Sequence, residues 1–249
     1  MRLRATWLAL LLPACALGAD VTPLVQQAIA AEARLEPAVA LKLLLEADAA
    51  KPNDPFILQK IARQYSDLTL DQPDVDAKKR HAETALEFSQ RAVALKPDDA
   101  VNVLSLAVCY GKLAIYSDTR TKVQYSRLVK GYAEQALALD PNYAWAHHLL
   151  GRWHYEVAEL GMTSKFFVKL LYGGLPPASP AEAVTHLQRA VELEPGELGH
   201  WLELGFALAA AGNPTAARQA WTHGLGMPSR SKHDEPAKER ARLALARLN

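Results

Sequence analysis

Four stretches of the chain end alike, and that recurrence restricts the fold more than any other feature. They are "ALKLLLEADAAKPND" (40–54), "ALEFSQRAVALKPDD" (85–99), "VKGYAEQALALDPNY" (129–143) and "AVTHLQRAVELEPGE" (183–197). In each, Ala47, Ala92, Ala136 or Ala190 stands five residues before Pro52, Pro97, Pro141 or Pro195. A small residue at a fixed place lets two helices approach closely, and proline ends a helix where the chain must turn. The segments that follow, "PFILQKIARQY", "AVNVLSLAVCYGKL", "AWAHHLLGRWHYEV" and "LGHWLELGFALAAAGN", each supply a partner helix. The chain therefore reads as helical hairpins that bury their apolar faces against one another in series.

Trp201, Leu204 and Gly205, followed by Ala217, Trp221 and Gly224, resemble the tetratricopeptide (TPR) pattern W-x2-L-G with its later small residues. This predicts an all-α, TPR-like α-solenoid of about five hairpins, spanning roughly 21–54, 55–99, 100–143, 144–197 and 198–229 within a repeat domain of 20–249. The amphipathic "EPAKERARLALARL" (235–248) is expected to cap the last unit. The prolines lie 45, 44 and 54 residues apart. A plain repeat takes about 34, so units two to four carry about 11, 10 and 20 extra residues between their two helices. Lengthened helices or lids over one edge of the solenoid would both account for them.

Counting from Ala144 as position one, Leu150 and Gly151 fall at the Leu-Gly packing positions, where glycine allows close helix approach. The other stripe of that helix holds Trp145, His148, Arg152, Tyr155 and Glu156, three or four residues apart and so on one face. In TPR proteins this stripe faces the concave groove. Arg152 there could clamp a carboxylate or phosphate between the walls Trp145 and Tyr155, or pair internally with Glu156 one turn away. By the same count the stripe holds Val101, Leu104 and Val108 in unit three, and Leu202, Phe206 and Ala209 in unit five. A helix apolar on both stripes needs cover on both sides. The insertion "LGMTSKFFVKLLYGGLPP" (160–177) could give it, as core filler or as a lid over an apolar chain, through Met162, Phe166, Phe167, Leu170 and Leu171. Lys112, Arg120, Lys122, Arg127 and Lys130, against the single Asp118, form a candidate basic patch for an anionic headgroup or an acidic partner, or a solvated helix face.

A scan for catalytic signatures finds no His-Glu-x-x-His, no phosphate-cradling loop and no nucleophile elbow, so no catalytic residue and no cofactor is expected. His147 and His154, seven apart, have no flanking ligand at metal spacing, and no metal site is assigned. Cys109 sits in an apolar run and reads as a small buried hydrophobe. The start, "MRLRATWLALLLPACALGAD", has two arginines, an apolar run and small residues up to Ala19, the layout of a signal peptide over residues 1–19. Its apolar run is too short to span a bilayer comfortably, so no transmembrane segment is expected in the mature chain. "LPAC" offers a lipoprotein alternative through Cys15; either way the protein is expected to be exported and periplasmic. The formal net charge is +1, and without Arg2 and Arg4 the balance is 26 basic against 27 acidic residues, which gives no general attraction to nucleic acid.

Together "LAVCYGKLAIYSDTRTK" (106–122), "AHHLLGRWHYEVAEL" (146–160), "LYGGLPPASPAEAVTHLQRAVELEP" (171–195) and the following "LELGFALAAAGNPTAA" resemble the regulator of microtubule dynamics proteins, whose globular part is a TPR-like helical domain. The resemblance implies an adaptor and not an enzyme; one animal branch is associated with microtubules and another with lipid binding at membrane contact sites. The expected function is a non-enzymatic module holding a protein or peptide partner in its groove. The alternative is a carrier for a lipid or other apolar molecule, held between the groove of units three to five and residues 160–177.

Overall fold

The structure, a computed structural model, describes residues 20–248 and is helical, without strands, over them. The signal-peptide reading and Cys15 lie outside the described residues. The first hairpin is α1 (Thr22–Ala33) and α2 (Pro37–Ala50), and the second is α3 (Pro55–Leu68) and α4 (Val75–Leu95), with a 3-10 turn at Thr69–Asp71. The third pairs α5 (Ala100–Ile115) with α6 (Thr119–Leu139). The fourth pairs α7 (Ala144–Ala158) with α9 (Pro180–Leu193), α8 (Met162–Tyr172) lying between them in sequence. The fifth pairs α10 (Leu198–Ala210) with α11 (Pro214–Gly226), and α12 (Asp234–Ala246) packs on both. The second helix of each hairpin packs on the first helix of the next, the one-dimensional stacking of a solenoid.

The recurrent alanines show why the register is fixed. Ala47, Ala92, Ala136 and Ala190 are wholly buried, and each carbonyl accepts the last helical N–H, from Lys51, Lys96, Asp140 and Glu194. The proline that follows cannot donate, so the helix stops there. Asp54 and Asp99 then cap the next helices, accepting from Phe56 and Ile57 and from Val101 and Asn102, while Lys51 and Lys96 pair with them at 2.9 and 2.8 Å. "KPND" and "KPDD" thus stop one helix and start another.

Glycine sets the closeness of two pairs. A β-carbon on Gly151 would lie 2.5 Å from Leu187 Cγ of α9, and one on Gly205 would lie 2.3 Å from the Trp221 ring of α11. Trp221, buried, also donates its indole N–H to the Leu202 carbonyl at 3.0 Å. Cys109 is buried 3.3 Å from Ser89 Oγ, and burial raises its thiol pKa to about 11.

The extra residues differ between units. In units two and three they lengthen the second helices: α4 and α6 each have 21 residues. In unit four they form α8, which has no buried residue and packs on α6. α8 therefore neither fills the groove nor covers it, because it docks through the half-buried Val168 and Tyr172 on the second helix of the preceding hairpin.

One long-range contact shapes the concave side. The loop between α11 and α12 reaches the C-terminal end of α3, where His233 Nε2 is 2.8 Å from Asp67 Oδ1 and Lys232 pairs with Asp71. The fifth hairpin thus returns against the second.

Candidate functional site

The first helices of the hairpins carry the concave face, and when each is counted from its first residue, equivalent side chains form rows. Phe56, Val101 and Trp145 share the second place of α3, α5 and α7, exposed by 50%, 43% and 39%. Gln59, Leu104, His148 and Leu202 share the fifth, Arg63, Val108, Arg152 and Phe206 the ninth, and Asp67, Lys112, Glu156 and Ala210 the thirteenth. The face is therefore apolar near the helix starts and ionic near their ends.

Trp145 is held in place by histidines. Its ring centroid is 4.9 Å from that of His148 and 4.8 Å from that of His200, while the two histidine Nδ1 atoms meet at 2.9 Å. One ring must donate and the other accept, so the two cannot both be charged while the bond holds. Burial lowers both pKa values to about 3, with Arg152 and Arg240 adding for His148 and His148 adding for His200.

Arg152 takes the internal pairing: its Nε donates to Glu156 Oε1 at 2.7 Å and Nη1 lies 3.9 Å from Glu203. Burial opposes its charge, but Glu203 and Glu156 outweigh that and raise its pKa. Arg63, 57% exposed in its side chain and 4.0 Å from Asp67, keeps the freer guanidinium. Tyr155 is a core residue and not a groove wall: it is 5% exposed, and its hydroxyl donates to Glu203. Burial, then the Glu203 charge, push that phenol far above its ordinary range. Glu203 is the hub, since Arg240 of α12 also donates to it while lying 4.1 Å from the Phe206 ring centroid. Leu104 is 4% exposed and belongs to the core with Val103 and Ala107, whereas Val108 is open to the groove at 39%.

The remaining candidates scatter. Phe166 and Phe167 project from α8, outside the groove, at 61% and 51% exposure. Lys112 leaves the basic patch: it is largely buried and donates to the Ser66 carbonyl, and burial lowers its pKa against the pull of Asp67. Arg120 and Lys122 are exposed, Arg127 donates to the Tyr172 and Gly174 carbonyls, and Lys130 pairs with Glu134 beside the Trp153 ring. His147 Nδ1 meets His186 Nδ1 at 2.9 Å and His154 stacks on His186, yet among the described residues no group of three or more ligating side chains is arranged to hold a metal. Sequence reasoning passed over Phe56, Arg63, His200, Glu203 and Arg240. The first two were reachable by applying the same helix count to unit two. The others act across units, where the repeat gives no pairing signal.

This arrangement of hairpins has known counterparts. The family model described as "Regulator of microtubule dynamics protein 1-3" matches residues 24–249. The chain belongs to that family. Among relatives, regulator of microtubule dynamics protein 3 of Xenopus laevis is 32% identical over 139 residues, 56% of this chain and 30% of that protein. Protein 1 of Mus musculus is 25% identical over 197 residues, 78% of this chain and 65% of that one. The chain thus spans less than two thirds of the length of these relatives. A solved structure of a thermophilic TPR protein of Thermus thermophilus superposes with a TM-score of 0.67 at 19% identity, covering 92% of this chain and 98% of that one. The family member is thereby a TPR-like α-solenoid, as its repeat predicts. Among the described residues no helix is long and apolar enough to cross a membrane.

Proposed function

We propose that this protein is a non-enzymatic adaptor whose concave face binds an extended segment of a protein partner. The observation that carries this reading is the row of Phe56, Val101 and Trp145, large apolar side chains left open at one register of three successive hairpins. Such a row receives apolar side chains of a peptide at regular spacing, and Trp145, fixed by two histidines, is the rigid anchor such surfaces use. Arg63 supplies a carboxylate contact, and Arg152, tied to Glu156, shapes the floor at the same register two hairpins on. The carrier alternative has less support, because Phe166 and Phe167 point away from the helices they would have to cover. Export of the mature protein through residues 1–19 completes the proposal.

Screening the full chain against an array of peptides that alternate apolar and acidic residues tests the groove. For the tightest peptide found, Trp145→Ala should weaken binding by about tenfold or more and Arg63→Ala by less, both with unchanged circular dichroism. An array without binders, or binding indifferent to both substitutions, refutes the groove reading.

A further inference from the structure

We infer that α8 is a membrane-surface contact: the helix lies in the headgroup region of an anionic bilayer while the groove stays free. Met162, Phe166 and Leu170 repeat every four residues and Phe167 and Leu171 form the adjoining row, exposed by 88%, 61%, 65%, 51% and 61%. These rows lie opposite the side docked on the body, which is marked by the half-buried Val168 and Tyr172. An eleven-residue helix is too short to span a bilayer but long enough to lie along its surface with an apolar face down.

Charge selects the occupant. Lys165 and Lys169, one turn apart, border the apolar rows on one flank. Lys165 donates to the Ala158 carbonyl at 2.6 Å and keeps its charge at the edge of the ridge, while the exposed Lys169 can lay its stem over acyl chains and bring its ammonium group to a phosphate. Residues 160–177 contain no Asp or Glu, and neither do residues 119–133 of the supporting α6, which carry Arg120, Lys122, Arg127 and Lys130. Lys130 is neutralised by Glu134, whereas Arg127 is bound to carbonyl oxygens and keeps its full charge next to α8. A basic surround beside a projecting apolar ridge matches an anionic membrane; a protein partner would have to supply both a groove and an acidic rim. The fixing of α8 by Arg127 also presents the helix already formed, so less ordering is needed on contact.

The test is flotation of the full chain with vesicles of phosphatidylglycerol and phosphatidylcholine in equal parts, compared with phosphatidylcholine alone. Binding to the anionic vesicles is expected to fall by more than about tenfold in Phe166→Glu/Leu170→Glu. Replacing Lys165 and Lys169 with Gln should cost about fivefold for each lysine. Because Lys165, Phe166, Lys169 and Leu170 are all exposed, both variants should keep the wild-type thermal midpoint. Failure of the wild type to float with anionic vesicles overturns the inference. So does binding that survives Phe166→Glu/Leu170→Glu, which would place attachment elsewhere in the chain, or concentration-dependent dimers lost in that variant without vesicle binding, which would make the ridge a self-association surface.

Discussion

At the residue scale the concave face depends on histidines that must remain uncharged. His200 is wholly buried, its Nδ1 meets His148 and its Nε2 lies 3.7 Å from Glu194, too far for a hydrogen bond to hold a second proton. Both histidines have folded-state pKa values lowered to about 3, against about 6.5 in the unfolded chain. The unfolded chain therefore takes up protons first. Their stabilisation is complete above about pH 6.5 and is lost as pH falls from there toward 3. Urea midpoints of wild type and His200→Gln, followed from neutral pH to about pH 5, should show a steep fall in the first and a shallower one in the variant. Equal slopes would remove His200 as the titrating group. The stripe containing His148 was legible from helical spacing, but its partner 52 residues away was not, because hairpin periodicity says nothing of which groups meet between units.

At the element scale the most legible information was where helices stop and where they touch. The Ala-to-Pro spacing gave the hairpin boundaries, since each alanine is both the buried contact and the acceptor of the last helical hydrogen bond. What the extra residues do was less legible: in units two and three they continue the helical period, whereas in unit four they form a separate amphipathic helix. Amphipathicity alone shows that α8 has an apolar face, not which neighbour it takes. Glycines allow a sharper check of packing, because one substitution should change sign with place. Gly131 in α6 has open space where a β-carbon would go, so Gly131→Ala should stabilise by up to about 1 kcal/mol through helix propensity. Gly205→Ala gains the same propensity but drives a methyl into the Trp221 ring; overpacking of about 1–3 kcal/mol should leave a net loss. Thermal midpoints of the two variants should move in opposite directions, and a stabilised Gly205→Ala would mean that α10 and α11 can separate freely.

At the scale of the whole molecule, a solenoid's path is the sum of small rotations between neighbours, so no local pattern announces that the fifth hairpin returns to the second. The return is made by Lys232 with Asp71 and His233 with Asp67, all partly open to solvent, along a seam also lined by Glu32, Arg63, Gln64 and Arg230. An exposed ion pair such as Lys232 with Asp71 is worth at most about 1 kcal/mol and is screened by salt, and an exposed hydrogen bond adds about as little, so the closure should be a weak latch on a body stabilised elsewhere. Lys232→Glu/His233→Glu places like charges against Asp71 and Asp67. It should raise the radius of gyration in small-angle scattering while shifting the unfolding midpoint little, and high salt should move the wild type the same way. Arg63 stands on this seam, so an opened ring should also admit the array peptide with a faster association rate, which stopped-flow mixing would read. A large loss of stability with no change in radius would instead make the seam part of the cooperative core, and the groove would then have to be entered from the side of Phe56, Val101 and Trp145.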